Sequence, residues 1–400
     1  MKILHTSDWH LGHRLHEYLQ TEEQTLFLEW LKQFIIEQKI DVLLISGDIF
    51  DTGIPSTQSQ KMYYDFLISL QNTTCKHIVL IAGNHDSPGI INAPKDLLKV
   101  LSVNVIGKAT EQVSDEVFEI NVRNEHLIIA AVPYLRDQDI RKAVEGEDFD
   151  DITEKYKQAL INHYKLVADA IKERNINNYP TIAMGHLFAI GGTVSDSEQN
   201  IYVGSLGHIG AKDFPSNFDY IALGHLHRPQ SVGGCDTIRY SGSPYILSFS
   251  ELNYNKEIIV LDVQTNELKG VNSFPIPRFR DVISIEGDFE TCSTALTKIK
   301  SNSNELTPWV EVIVDSTDTL VSSKIQKIAE NLPLEVLKVS LKNKKKIKGL
   351  EQLLENIQTV KELSPKEIFM LKCKEQGFDI NSRTDIEDAF NEVLQIAQDN

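Results

Sequence analysis

The sequence predicts an α/β fold: a layered core with mixed or parallel sheets, followed by a small α+β domain. Three observations predict it. Short runs rich in Ile, Leu and Val recur up to Leu223, and stretches with apolar residues at helical spacing lie between them. The pattern changes at Pro275-Ile276-Pro277, after which shorter strand and helix patterns alternate.

Each element follows from its residues. Lys2–His5, Val42–Ile45, Ile78–Ala82, Thr181–Met184 and Tyr220–Leu223 read as buried strands, and Leu127–Val132 has the same character. Glu22–Lys39 carries Leu26, Phe27, Trp30, Leu31, Phe34 and Ile35 on one helical stripe. Gln58–Leu70 carries Met62, Tyr63, Phe66, Leu67 and Leu70, a stripe that is by default a core face. Thr153–Arg174 predicts a longer helix. Beyond the prolines come a strand (Val282–Glu286), a helix (Cys292–Lys300), a strand (Trp309–Val314), a helix (Leu320–Asn331) and a strand (Glu335–Leu341). Lys342–Lys348 holds five lysines in seven residues, usually a solvated face, and an acidic helical pattern follows.

Composition narrows the function. No apolar run reaches the roughly 18–20 residues of a membrane span. Met1 leads directly into a strand pattern, so no signal peptide is expected and the expected location is the cytoplasm. Cys75, Cys235, Cys292 and Cys373 lie far apart, which argues against a thiolate zinc site and a disulfide framework. The net charge of −17 opposes DNA at long range. If the chain acts on DNA, bound metals and a basic partner must bring the DNA in.

The five strand runs share one property: each leads into metal-type ligands. They run into Asp8-Trp9-His10, Gly47-Asp48-Ile49-Phe50-Asp51, Gly83-Asn84-His85-Asp86, Gly185-His186 and Gly224-His225-Leu226-His227. Ligands of open α/β sheets bind beyond the carboxyl ends of strands, so the five ends should converge on one crevice. In four of them glycine precedes the polar group and permits close backbone approach. Imidazoles with carboxylate and amide oxygens suit Mn²⁺, Fe or Zn²⁺ rather than Ca²⁺ or Mg²⁺ alone. Asp8, His10, Asp48, Asn84, His186, His225 and His227 are too many for one ion and fit two ions sharing a carboxylate. Such a pair can clamp a phosphodiester and activate water. His5, His13, His16, His77, His126, His163 and His208 match no motif and read as structural or exposed. His13 and Arg14 follow the first metal loop and are candidates to touch DNA phosphate.

In that order, these motifs resemble the calcineurin-like metallophosphoesterase superfamily. Ser7–Gly12, Gly47–Asp51, Ser195-Asp196-Ser197-Glu198 with Ile201–Gly204, and Asp219–His227 look narrower still, like the SbcD family of nuclease subunits. The likeness is dense to about residue 250 and architectural beyond it. It implies a layered metallophosphoesterase β-sandwich with flanking helices over residues 1–275, an α+β capping domain over 276–345, and C-terminal helices over 346–400. By the same resemblance Asp8, His10, Asp48 and His227 hold one metal, and Asp48, Asn84, His186 and His225 the other. His85 would position phosphate or protonate the leaving oxygen. Asp86 would orient His85, and Asp51 would stand behind the ligands.

The resemblance further implies Mn²⁺, a homodimer, and work on DNA ends and hairpins with an SbcC-type coiled-coil ATPase in DNA repair, replication and recombination, near the nucleoid. The C-terminal helices would dock on the ATPase. The dimer would join the Met62–Leu70 stripe to the helix carrying Leu97, Leu98 and Leu101. Two rivals are a small-substrate metallophosphodiesterase, which needs neither cap nor tail, and a non-catalytic scaffold, which would lack ligands.

Overall fold

Strand β1 (Lys2–Thr6) is apolar on both faces because both are covered, and it sits centrally in its sheet. A two-stranded ribbon, β2 (Arg14–Leu15) and β3 (Tyr18–Leu19), leads to α1 (Thr21–Gln38). The helix buries Phe27, Leu28, Leu31 and Ile35 and ends where Lys39 turns left-handed, its N–H bonding back to Ile35. Strand β4 (Val42–Ser46) is wholly buried. Helix α2 (Thr57–Ser69) starts at Ser56, whose hydroxyl accepts the Ser59 N–H. Then come β5 (His77–Ile81), α3 (Pro88–Asn92), α4 (Lys95–Val100) and β6 (Val103–Ile106).

The second half contains β7 (Val117–Val122), β8 (Glu125–Ala131), α5 (Asp137–Ile140), α6 (Phe149–Arg174), β9 (Thr181–His186), β10 (Tyr220–Gly224), β11 (Gln230–Val232) and β12 (Cys235–Tyr240). The hairpin β13 (Glu257–Gln264) and β14 (Glu267–Pro275) returns to the first sheet. The computed structural model describes residues 1–141, 149–189, 209–299, 306–316, 318 and 320–342. Ser195–Gly204, His208, residues 346–400 and, apart from Lys342, the lysine run lie outside them.

Two six-stranded sheets result, with orders β14-β13-β1-β4-β5-β6 and β11-β12-β10-β9-β8-β7. In the first, β1, β4, β5 and β6 are parallel; in the second, β8, β9, β10 and β12 are parallel. Ile3, Leu44, Val79, Ile129, Met184 and Ala222 fill the seam between the sheets. Helices α1 and α2 cover one outer face and α6 the other. The order is helix, sheet, sheet, helix, the layered α/β sandwich expected.

Neither β13 nor β14 is among the strands expected from the sequence, although Ile258–Leu261 of β13 is an apolar run like those of the other buried strands. Strand β14 is largely polar, and its turn uses Thr265 and Asn266, both at positive φ, instead of an Asn-Gly pair.

The small α+β part holds β15 (Val282–Gly287), α7 (Phe289–Lys298), β16 (Trp309–Val314), α8 (Val321–Ala329) and β17 (Glu335–Leu341), with sheet order β15-β16-β17. Cys292, Leu296, Val321 and Ile325 pack on Val310, Val312 and Val314. Contacts divide the chain into one unit of Met1–Val314 with Asp318–Ser340, and a second of Asp315–Thr317 with Leu341–Asn400. The sandwich and the small sheet thus share one compact unit. Arg280 ties them: its Nε and Nη2 each donate at 2.5 Å, to Glu23 and Glu22 of α1, and Nη1 donates to the Thr307 carbonyl at 2.6 Å. Its guanidinium lies 4.1 Å over the Trp309 ring.

Candidate metal centre

Parallel strands from both sheets end at one edge, and the ligand candidates follow those ends. After β1, Trp9 buries its indole against Phe27 and Phe66 and so fixes the loop carrying Asp8 and His10. Asp8, His10, Asp48 and His225 all adopt positive φ, at 53°, 43°, 49° and 104°. Strained backbone at four ligand candidates is held by the surrounding packing. Glycines admit the crowding. A Cβ on Gly83 would lie 2.2 Å from Asp48 Oδ1, and one on Gly224 would lie 1.9 Å from the Ser46 carbonyl oxygen.

All seven candidates meet. Donor atoms of Asp8, His10 and His227 lie within 4.8 Å of one another, as do those of Asp8, Asp48 and His186. Asn84 Oδ1 is 2.9 Å from both His186 Nε2 and His225 Nδ1. Asp48 Oδ2 is 3.2 Å from His186 Nε2 and 3.6 Å from His10 Nε2, which places its carboxylate between the two groups.

The donor set fits divalent ions. Among the described residues, His10 Nε2 is buried with no hydrogen-bond partner, while Nδ1 is held at 3.2 Å by Asp51. Burial lowers His10 to about 4 and His225 to about 3, so both rings are neutral lone-pair donors near pH 7. Burial raises Asp8 to about 6 against the opposing pull of His186 and His227. Burial also opposes charge on His186 and Asp48, but their mutual attraction and hydrogen bond win. His186 rises to about 9 and Asp48 falls well below the carboxylate range. A cation beside Asp48 is therefore favoured in this pocket.

His85 sits at the rim, half-buried, its ring centroid 4.8 Å from that of His10. Its N–H donates to Asp48 Oδ1 at 2.9 Å, and ring Nδ1 donates to the Asp51 carbonyl at 2.8 Å. The orienting role expected of Asp86 thus falls to the Asp51 backbone. The Asp86 carboxylate instead accepts N–H bonds from Gly83, Ile49 and Phe50, stapling the β4 and β5 loops together. The Asp51 side chain stands behind the ligands, with Oδ1 3.2 Å from His10 Nδ1 and 2.8 Å from His13 Nδ1.

His13 also meets the Leu247 carbonyl through Nε2 at 3.1 Å. Both of its ring nitrogens have partners within the chain, so a phosphate would have to displace one. Arg14 is exposed, and its Nη1 donates to the Glu17 carbonyl at 2.6 Å.

Sequence reasoning missed Glu251. This fully buried residue places Oε1 3.3 Å from His227 Nδ1, while Oε2 accepts from Lys256 Nζ at 2.6 Å. Burial opposes its ionisation, but Lys256 and His227 outweigh that and hold the carboxyl well below its usual range. A lone glutamate in Ser248-Phe249-Ser250-Glu251 carries no motif that could have flagged it.

The sandwich and this donor set define a metal-dependent phosphoesterase, and the calcineurin-like phosphoesterase family matches residues 1–229. Residues 278–377 match the family described as type 5 capsule protein repressor C-terminal domain. The SbcD subunit of nuclease SbcCD from Escherichia coli (strain K12) is 31% identical over 397 residues, covering 98% of each chain. Its counterpart of the same name from Bacillus subtilis (strain 168) is 33% identical over 272 residues, 67% of each chain. That from Staphylococcus epidermidis is 30% identical over 336 residues, 83% of this chain and 84% of that protein. The chain belongs to this SbcD family of hydrolytic nucleases.

Proposed function

We propose that this chain is the Mn²⁺-dependent nuclease subunit of an ATPase complex, a 3′–5′ double-strand exonuclease and endonuclease that processes DNA ends and hairpins. The observation that carries the reading is the convergence of seven metal-type donors from two sheets beside His85. Asp8, His10, Asp48 and His227 hold one ion; Asp48, Asn84, His186 and His225 hold the other. When bound, the ions supply Lewis acidity to the phosphodiester and make water a nucleophile near neutral pH.

The remaining work belongs to the chain. Asp48 joins the two sites and braces the His85 backbone. With Nδ1–H tied to the Asp51 carbonyl, the protonated His85 ring presents Nε2–H to a phosphate oxygen and can pass that proton to the leaving 3′-side oxygen.

Residues 1–275 form the nuclease domain, 276–345 cap it, and 346–400 dock on the SbcC-type ATPase. The charge of −17 supports this division, since the partner then supplies most of the DNA grip. Two copies pair through Ile68, Leu97 and Val100, which are 58%, 71% and 81% exposed. The stripe expected from the sequence does not supply this face: Tyr63, Phe66, Leu67 and Leu70 of that stripe and Leu98 of α4 are buried within the protomer, and Ile68 lies off the stripe.

The test is cleavage of an end-labelled DNA hairpin with Mn²⁺, by the chain alone and then with the ATPase and ATP, with Asp48→Ala as control. Cleavage by the wild type alone, stimulated by the partner, supports the reading. Hydrolysis of a small phosphodiester without cleavage of DNA under either condition overturns the substrate assignment.

A further inference from the structure

The two proposed ion sites are braced in different ways. His186 Nδ1 donates to the Ser46 carbonyl at 2.8 Å, a backbone group of a central strand. His225 and His186 share Asn84. The histidines of the other site lean on side chains and on one connecting segment, Ser243–Lys256, between β12 and β13.

That segment reaches both rings through Leu247. The Leu247 N–H donates to Glu251 Oε2 at 3.1 Å, and Glu251 Oε1 meets His227 Nδ1. The Leu247 carbonyl faces His13 Nε2, and His13 Nδ1 meets the Asp51 oxygen that also holds His10. Lys256 closes the loop, donating to Glu251, to Ser243 Oγ at 2.5 Å and to the His227 carbonyl at 3.2 Å.

We infer that Glu251 is a positioning residue for His227, and that the Ser243–Lys256 strap sets the affinity of one ion site independently of the other. The inference rests on the ligand assignment proposed above. A carboxylate accepting from Nδ1 fixes the ring and its tautomer, leaves Nε2 for the metal, and makes that nitrogen more basic. Loss of such a partner weakens metal affinity about 10–100-fold.

The test is Mn²⁺ titration of the full chain, with free Mn²⁺ read by electron paramagnetic resonance, in wild type, E251Q, K256M and the charge-neutral double variant E251Q/K256M. In E251Q one ion should bind as tightly as in wild type and the other about 10–100-fold more weakly, with nuclease activity returning at high Mn²⁺. K256M, which keeps the Glu251 side chain on His227 but removes the lysine that helps hold it ionised, should weaken the same ion by less than E251Q does and leave the other unchanged. If E251Q does not fold, the double variant gives the same reading without an unpaired buried charge. Unchanged affinities in a folded variant, or equal weakening of both ions, overturn the inference while the ligand assignment stands. A wild type that binds fewer than two ions brings down the assignment and the inference together.

Discussion

His5 Nδ1 accepts the Tyr220 hydroxyl at 3.0 Å, joining the central strand of one sheet to the other sheet at the heart of the sandwich. Nε2–H donates to the Leu223 carbonyl at 3.2 Å, so the ring is complete only when neutral. Burial lowers it to about 3 from an ordinary 6.5. The unfolded chain therefore binds a proton that the folded chain refuses between those values. Stability from this group is present above pH 6.5 and drains away as pH falls towards 3, at up to roughly 1.4 kcal/mol per pH unit. Denaturant midpoints at pH 7.5, 6 and 5 should fall less steeply in His5→Gln than in wild type. Equal slopes would remove His5 as the cause.

Arg280→Met should loosen the small domain. It strands Glu23 in a buried site and removes the stack on Trp309, a change worth about 3–5 kcal/mol. Hydrogen exchange across Val282–Val314 should accelerate more than exchange in β4 and β5. Uniform acceleration would mean that the clasp is not specific to the small domain.

The two central site variants should separate holding from chemistry. His85→Gln should retain both ions and lower kcat by about 10²–10⁴. Asp48→Ala should retain neither, because its carboxylate serves both groups. Metal stoichiometry beside hairpin cleavage checks both, and full activity in His85→Gln would refute its role.

Gly224→Ala drives a methyl group into the Ser46 carbonyl, which also holds His186. It should destabilise the fold by about 1–3 kcal/mol and disturb the metal centre. Gly53→Ala meets nothing closer than 3.7 Å and should be near neutral. Thermal melts of the pair suffice, and equal melting temperatures would deny the close approach.

Val100→Glu should turn a dimer into a monomer without altering the protomer, since Val100 contributes little to the core. Sedimentation velocity reads this directly. A wild type that is monomeric at high concentration would dismiss the proposed pairing face.

How much was legible in advance depended on whether a residue advertised its chemistry locally. The cluster of metal-type donors was readable because each strand end pairs an apolar run with Asp, Asn or His, commonly behind glycine. Glu251 was not, because its meaning comes from a histidine 24 positions earlier in the chain. Asp86 looked like a partner for its neighbour His85, yet three backbone donors outcompete that neighbour. The α2 stripe read correctly as core. The exposure of Ile68 on the same helix, and of Leu97 and Val100 on α4, was visible only once burial was known. Strand β14 stayed hidden because one side faces solvent and gives no apolar run.

The ligand candidates lie on both sides of the sandwich, from Asp8 near the start of the chain to His227 beyond its midpoint. A nascent chain cannot assemble them until synthesis has passed His227 and the second sheet has closed on the first. The chain therefore stays inert through the first half of its own translation, and a molecule that fails to close its sandwich has no assembled site.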